Sequence, residues 1–229
     1  MHLSSLEVRW FWTGNLNTNS GLASVFENFN PVQKRSDVQN VRWSKPRNDL
    51  YLAIPSAHDL GIKWREGELQ TKGRRALLGE MLFGGRIRGV VEQWTKWTHE
   101  GPAVDACFVP LFSSGTQMTI TVWKRRALRK VRLDPFGQAE EVLDEHIDRG
   151  VNCEFTDLKV NDAPYCSIAF EAFPDDGEMP EQFTHVVTAF LAGFDPKAFD
   201  RAESKSYPAW LDQLARGAAA KETSDANAD

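Results

Sequence analysis

An alternation of apolar and polar side chains with a period of two constrains this chain most. In residues 6–12 every second side chain is apolar, and the series ends in Trp10 and Trp12. Glu7 and Arg9 alternate with these apolar side chains and share the opposite face. Because successive side chains of a β-strand point to opposite faces, this segment is predicted to be a strand with one apolar and one charged face. The other segments with strand character are residues 47–54, 90–97, 118–131, 152–160 and 165–173, together with 60–72, which is predicted to be a hairpin turning at Glu66-Gly67.

The period changes to that of a helix near the end of the chain. In residues 180–194 the apolar side chains recur at helical spacing, and a shorter helix is expected at residues 207–216. Residues 217–229 contain too few apolar side chains to order themselves and are predicted to be a disordered tail. We therefore expect a mainly β (α+β) fold: an antiparallel β-barrel or tunnel over residues 1–178, with short peripheral helices and a C-terminal helical cap at residues 179–216.

Charge is divided unevenly along the 229 residues. The formal net charge is −5, yet residues 1–135 carry 20 Lys and Arg against 12 Asp and Glu, and the remainder carries 7 against 20. The predicted strands are thus basic and the predicted helices acidic. Such asymmetry suggests an anion-binding surface in the basic part, or two parts that attract each other.

Composition also bears on partners and location. No stretch approaches the roughly 20 apolar residues of a membrane-spanning helix, and the first residues lack the basic and apolar regions of a secretory leader. We expect a cytoplasmic protein without a membrane partner. Six basic residues lie within 124–132. Their alternation along a strand and the overall acidity make nucleic acid an unlikely partner.

The charged strand faces allow two arrangements. If apolar faces carrying Trp10, Trp12, Trp64 and Trp123 pack under covering helices, the charged faces line the interior of the barrel. An unpaired buried charge is very costly, so an interior rich in Lys and Arg requires a compensating anion. In the alternative arrangement the charged faces are solvated and the tryptophan faces form the core.

Short motifs along the strands resemble the CYTH, or triphosphate tunnel metalloenzyme, superfamily over roughly residues 3–175. They comprise a charged first strand, the Lys-x-Arg pair of Lys63 and Arg65, a strand ending in Lys72, a basic strand at 124–126, and a late strand bearing Glu171. The resemblance implies an antiparallel tunnel in which inward Lys and Arg hold a triphosphate and inward Glu hold Mg²⁺ or Mn²⁺. The family includes inorganic triphosphatases, thiamine triphosphatases, adenylate cyclases and RNA triphosphatases.

The resemblance assigns roles to individual residues. It implies Lys72 and Arg65 as catalytic groups. Further candidates for the lumen are Glu68 and Lys96, and Trp94 is a candidate for stacking on an organic group. The phosphate-binding candidates are Arg9, Lys63, Arg65, Lys72, Lys124 and Arg126, and the metal-binding candidates are Glu7, Glu171, Glu92 and Glu154.

Two departures from the family pattern concern the metal. The first-strand signature is Glu-x-Glu-x-Lys, whereas this chain has Ser5-x-Glu7-x-Arg9. The late strand commonly offers Glu-x-Glu, and here Glu171 is followed by Ala172 and Phe173. Metal affinity depends on the number of carboxylates. The sequence therefore offers a fuller set of phosphate-binding residues than of metal-binding residues.

Three functions remain open on the sequence alone. The first is a metal-dependent hydrolase of triphosphate or another small phosphorylated anion. The second is a relative with a depleted metal site that binds a phosphorylated or polyanionic ligand without hydrolysing it. The third is a lipocalin-like barrel whose tryptophan-rich interior holds an apolar ligand while the charges face water.

Overall fold

A computed structural model describes residues 2–38, 41–113, 119–134, 136–143 and 145–226. Strands predominate, and several of the long ones overlap the segments predicted from alternation, whereas the longest runs from residue 68 to 83, well beyond the predicted hairpin at residues 60–72. The strands are β1 (His2–Thr13), β2 (Gln33–Lys34), β3 (Arg47–Leu52), β4 (Leu60–Arg65), β5 (Glu68–Phe83), β6 (Ile87–His99), β7 (Thr119–Leu133), β8 (Ala139–Val142), β9 (Gly150–Val160), β10 (Ala163–Phe173) and β11 (Glu203–Ser204). The helices are α1 (Ser20–Asn28), α2 (Pro102–Ser113), α3 (Met179–Leu191) and α4 (Tyr207–Ala226), with a 3₁₀ helix at Pro196–Arg201.

Eight of the described strands close into an antiparallel barrel. Their order around the ring is β7-β3-β4-β5-β6-β1-β10-β9, and the pairing of β9 with β7 closes it. The short strands β2 and β8 extend the sheet beyond β7, and β11 pairs with β1. The predicted fold class, a mainly β antiparallel barrel with short helices, is confirmed.

Two tight turns set the register of this ring. Glu66 and Gly67 have φ values of 51° and 85°, and Asn161 and Asp162 have φ values of 48° and 63°. A two-residue hairpin loop of this kind needs positive φ at both central residues, which Asn, Asp and Gly adopt most readily. The hairpin predicted at residues 60–72 is therefore present, and a second hairpin joins the strands predicted at residues 152–160 and 165–173.

The apolar face of β1 points out of the barrel and is covered by the C-terminal helices. Trp10 and Trp12 are buried in one cluster with the apolar stripe of α3 and with Phe199 of the 3₁₀ helix. Their indole N–H groups donate to backbone carbonyl oxygens of Arg88 and Ala198, at 2.7 and 2.8 Å. The first of the two arrangements expected from the sequence is thus the one formed by β1.

The other two tryptophans behave differently from each other. Trp64 lies under a helix as predicted, with its ring centroid 6.2 Å from that of Phe112 in α2. Trp123 instead lies beside the neighbouring strand, with Lys159 Nζ 5.0 Å from its ring. The contact described for Trp123 is thus with a strand of the barrel itself, and its helical cover stays an expectation.

Helix α4 covers one end of the lumen. Phe11, which shares the inward face of β1 with Glu7 and Arg9, stacks on Trp210 at 4.4 Å and 6°. Leu211 and Tyr51 belong to the same apolar cluster. Apolar side chains therefore seal this end of the barrel, and the charged residues lie further along the lumen.

Two helical stretches differ from the sequence expectation. Helix α2 was not predicted, since its run of apolar side chains has no helical period and contains Pro110. Helix α4 continues to Ala226, through residues assigned to a disordered tail. The alanine-rich segment 218–220 has high helix propensity, which a prediction based on apolar content overlooks. Residues 227–229 lie outside the described residues. None of the described helices is long and apolar enough to cross a membrane.

Candidate functional site

A cavity of about 170 Å³ occupies the lumen. Inward positions of the barrel strands and the first residues of α4 form its wall. Every residue that the sequence suggested for phosphate binding, metal binding or catalysis lines it: Glu7, Arg9, Lys63, Arg65, Lys72, Glu92, Lys124, Arg126, Glu154 and Glu171. Of the two further candidates, Lys96 lines the cavity, whereas Glu68 is not part of the described wall and accepts a hydrogen bond from Gln70 at 2.8 Å.

Glu154 of β9 is held by two arginines. Arg9 Nη1 donates to its Oε1 and Arg126 Nη1 to its Oε2, both at 3.1 Å. Burial raises the pKa of Glu154, but the charges of Arg9 and Arg126 lower it more, so the pKa lies below its ordinary value. Glu154 is therefore an ionised counterion that fixes the two arginines, and its oxygens are already engaged.

Lys72 of β5 bridges two carboxylates that face each other across a strand pair. Glu7 and Glu171 are register partners in β1 and β10. Lys72 Nζ donates to Glu7 Oε1 at 2.5 Å and to Glu171 Oε1 at 3.0 Å. The ammonium group thus occupies the position between the carboxylates that a bound cation would take.

The two bridged carboxylates titrate differently. Burial raises the pKa of Glu7, and the nearby Glu171 charge adds to this, although Lys72 opposes both. Burial acts in the same direction on Glu171, but there the charge and hydrogen bond of Lys72 prevail and lower the pKa to about 2. Glu7 is therefore the member of the pair that takes up a proton first.

Glu92, the remaining predicted metal ligand, is not bonded to Lys72 but to two other side chains. Glu92 of β6 accepts a hydrogen bond from Arg74 Nη1 at 2.6 Å and another from Trp94 Nε1 at 3.1 Å. It is also the register partner of Glu7, so three carboxylates lie on adjacent strands at one level. The indole N–H of Trp94 is engaged by Glu92, although its ring lines the cavity.

The donor set permits a limited fit to Mg²⁺ or Mn²⁺. Among the described residues no group of three or more His, Cys, Asp or Glu is placed to hold a metal ion. Glu7 and Glu171 remain as a facing pair. Mg²⁺ is commonly bound by one or two carboxylates together with substrate phosphates and water. The pair therefore fits a metal that arrives with a phosphate chain, and it does not form a metal site by itself.

Around β3, three cationic side chains share a single buried carboxylate. Asp49 of β3 is fully buried and lies 2.5 Å from Lys124 Nζ, 3.0 Å from Arg47 Nε and 3.6 Å from Lys63 Nζ. Burial, followed by the charge of Lys124, lowers the pKa of Lys63 well below its ordinary value. Desolvation alone lowers the pKa of a buried lysine, and the neighbouring Lys124 charge adds to this effect at Lys63.

Lys96 lies opposite Lys72 in the pairing of β5 with β6. Its side chain makes no ion pair with the described residues, and its pKa is lowered by burial and then by the Lys72 charge. Counted over the described wall, nine cationic side chains line the cavity against four carboxylates. Adding Asp49 behind the wall still leaves a surplus of positive charge facing the lumen.

Several cavity residues were not predicted as site residues. Arg47 and Tyr51 line the cavity and Asp49 lies behind its wall; the three alternate along β3, and this alternation in residues 47–51 was the signal that could have found them. Tyr207 and Lys205 also line the cavity but lie at the start of α4 and just before it. No local pattern marks those two, because only the docking of α4 brings them to the barrel.

The wall argues against an interior built for an apolar ligand. Charged side chains dominate it, while Trp10 and Trp12 lie in the apolar cluster outside the barrel. The lipocalin-like alternative therefore has no support from the placement of these two tryptophans.

Comparisons with known proteins found no family for the chain and distant structural likenesses to solved structures. No family model matches the chain, and no curated protein matches it. The chain is similar to the structure of a conserved hypothetical protein from Pyrococcus furiosus, with 17% identity and a TM-score of 0.43, over 88% of this chain and 98% of that chain. It is also similar to S. pombe Pct1 RNA triphosphatase in complex with the Spt5 CTD, with 11% identity and a TM-score of 0.35, over 93% of this chain and 82% of that chain. Likenesses this distant say nothing about what this chain binds.

Proposed function

We propose that this barrel binds a small phosphorylated anion in its lumen, with triphosphate as the reference ligand, as a divergent relative of the triphosphate tunnel metalloenzymes. The observation that carries the proposal is the surplus of cationic side chains around a cavity closed at one end by α4. Buried cations without counterions destabilise a protein, and a polyanion in the lumen would remove that cost.

The arrangement of the cations suits a chain of phosphates. Arg9 and Arg126 are preorganised by Glu154, and a guanidinium group offers several donors in a fixed plane that matches phosphate oxygens. Lys63 shares its counterion Asp49 with Lys124 and Arg47, and the side chain of Lys96 makes no ion pair with the described residues. We assign the clamp to the six residues that the sequence suggested: Arg9, Lys63, Arg65, Lys72, Lys124 and Arg126.

Thermal unfolding with and without triphosphate tests the binding. A ligand that binds only the folded state raises the melting temperature, and at about 100 times Kd the gain is about 2.7 kcal/mol. We expect stabilisation of the wild-type protein and a clearly smaller shift for Arg126→Met. Arg132→Met is the matched control, because Arg132 lies on the same strand but pairs with Glu140 outside the lumen. No shift for the wild type, or equal shifts for both variants, would refute lumen binding.

A second candidate function, hydrolysis of the bound anion, is favoured by the facing pair Glu7 and Glu171. These residues would hold a Mg²⁺ or Mn²⁺ ion delivered with the phosphate chain. The metal, when bound, would neutralise charge on the phosphate oxygens. Lys72, released from the two carboxylates, and Arg65 would then contact the phosphoryl group and stabilise its developing charge.

Phosphate release separates this candidate from binding alone. Purified protein is incubated with triphosphate and either metal, and the released orthophosphate is measured. Hydrolysis predicts turnover that needs the metal and is lost in Glu7→Gln. Glu80→Gln serves as the control, since Glu80 pairs with Arg88 on the outside of the β5–β6 hairpin and both side chains are more than half exposed. Binding without turnover in the presence of either metal would leave a non-catalytic anion-binding protein.

A further inference from the structure

The first residue of α4 places a buried hydroxyl without a partner in the wall of the cavity. Tyr207 lines the cavity, and its hydroxyl oxygen is shielded from solvent and has no hydrogen-bond partner among the described residues. The stacked neighbour Tyr51 differs, because its hydroxyl accepts a hydrogen bond from Lys124 Nζ at 2.9 Å. Buried polar groups are nearly always paired, so the unpaired Tyr207 hydroxyl needs an explanation.

The ring of Tyr207 is held on several sides. It lies parallel to the ring of Tyr51, at 5.3 Å and 2°. Phe11 and Trp210 meet it edge-on, with centroid distances of 5.4 and 5.6 Å. These contacts fix the ring, so its hydroxyl cannot reach solvent without undocking the start of α4.

The charged groups that contact the ring of Tyr207 are cations, and no acceptor among the described residues lies within hydrogen-bond distance of its hydroxyl. The Arg9 guanidinium lies 4.8 Å from the centre of its ring, and Lys124 Nζ lies 5.2 Å from it. Arginine and protonated lysine can only donate hydrogen bonds. Burial raises the pKa of Tyr207, so the hydroxyl keeps its proton at neutral pH. What the site lacks is an acceptor, and an anionic oxygen beside Arg9 and Lys124 supplies one.

We propose that Tyr207 donates a hydrogen bond to an oxygen of the bound phosphate chain, so that the start of α4 forms part of the ligand site as well as the cover of the barrel. This inference rests on the proposed function, since it takes the lumen ligand to be a phosphorylated anion. It adds a ligand-contacting residue from outside the barrel strands. It also means that ligand binding holds α4 in its docked position.

The test compares two tyrosine-to-phenylalanine variants by calorimetric titration with triphosphate. Tyr207→Phe keeps every ring contact and removes only the hydroxyl. We expect its Kd for triphosphate to rise about tenfold, because a hydrogen bond to a charged group is lost. Without ligand its melting temperature should equal or exceed that of the wild type, because an unpaired buried group has been removed.

Tyr165→Phe is the matched control. Tyr165 contacts Trp210 of α4 at 5.3 Å in the same apolar cluster, but it is outside the described cavity wall. Its variant should bind triphosphate like the wild type. Equal affinity of Tyr207→Phe and the wild type, or equal losses in both variants, would overturn the role of Tyr207 while leaving the proposed function in place. Absence of binding by the wild type would overturn both.

Discussion

Lys72 shows how a single residue decides what its neighbours can do. Its ammonium group is shared between Glu7 and Glu171; these contacts lower the pKa of Glu171 and oppose the burial that raises the pKa of Glu7. A phosphate chain entering the lumen competes for the same ammonium group. The carboxylates then need another cation or a proton, which links anion binding to metal or proton uptake at this pair.

Removing Lys72 should destabilise the protein in a pH-dependent manner. In Lys72→Met the two facing carboxylates lose their shared cation, so their pKa values rise. A raised carboxylate pKa contributes stability at low pH that is lost as the pH increases. We expect a loss of about 1–3 kcal/mol in the free energy of unfolding, larger near pH 8 than near pH 5, measured by urea titration. The exposed Lys197→Met should show no such trend, and a pH-independent loss in Lys72→Met would contradict the coupling.

Lys63 provides a second test at the scale of one residue. Its pKa is lowered well below the ordinary value in the free protein, so in mildly alkaline buffer it is neutral in a larger share of molecules than an ordinary lysine, and a bound polyanion should restore the proton. Wild-type protein should therefore take up more protons on triphosphate binding than Lys63→Arg, whose guanidinium is always charged. Titrations in two buffers of different ionisation enthalpy give the proton count. Protons gained or lost by triphosphate itself are the same for both proteins and cancel when the two proton counts are subtracted. Identical proton counts for the wild type and Lys63→Arg would exclude Lys63 from the site.

Among the elements, β1 and β6 show why the alternation was so informative. The outward face of β1 is apolar because α3 and the 3₁₀ helix cover it, and its inward face is charged because the lumen is polar. Close packing of the two strands depends on Gly89 of β6. A Cβ atom at that position would lie 2.4 Å from Trp10 Cζ2 and 2.7 Å from a methyl carbon of Val8.

Substituting Gly89 therefore tests the packing of this face. Gly89→Ala should lower the free energy of unfolding by about 1–3 kcal/mol, because the new methyl group displaces the buried indole. Urea-induced unfolding measures the difference. Gly177→Ala is the control and should be nearly neutral, since a Cβ atom there meets nothing within 4 Å. Equal stability of the two variants would mean that the Trp10 face is less tightly packed than described.

The same elements show the extent and the limit of prediction from the sequence. Strict alternation identified most of the barrel strands in whole or in part and placed Glu7 and Arg9 on one face, because the period of a strand fixes its faces. The choice of that face as the inward one, and the roles of Lys72 and Glu154, came from the resemblance to the tunnel family. Alternation does not reveal which charges meet across the lumen. The pairing of Lys72 with Glu7 and the placement of Tyr207 depend on closure of the ring and on docking of α4, which bring together residues distant in sequence.

At the scale of the whole molecule, closure of the ring by β7 and β9 turns strand faces into an enclosed lumen. Its carboxylates are kept ionised chiefly by surrounding cations. The pKa values of Glu154 and Asp49 are lowered, and that of Glu171 is lowered to about 2. The lumen is thus stable only while these groups stay charged, apart from Glu7, whose raised pKa has the opposite effect.

Acid should therefore unfold the barrel. A carboxylate with a lowered folded-state pKa contributes stability above its unfolded value, and that stability is lost as the pH falls through the folded value. We expect the free energy of unfolding to decrease from about pH 4.5 towards about pH 2, with a weaker decrease in Glu171→Gln. Circular dichroism during acid titration follows the transition. A stability that stays constant over this interval would contradict the ion-pairing described for the lumen.

The central claim is that the closed lumen holds one phosphorylated anion, and calorimetric titration of triphosphate tests it most directly. The wild-type protein should bind one triphosphate per chain, with an affinity that falls as salt is added because the attraction is electrostatic. The double variant Lys63→Met/Arg126→Met should lose binding while keeping its fold. Absence of binding by the wild type, or binding that the double variant retains, would contradict the account.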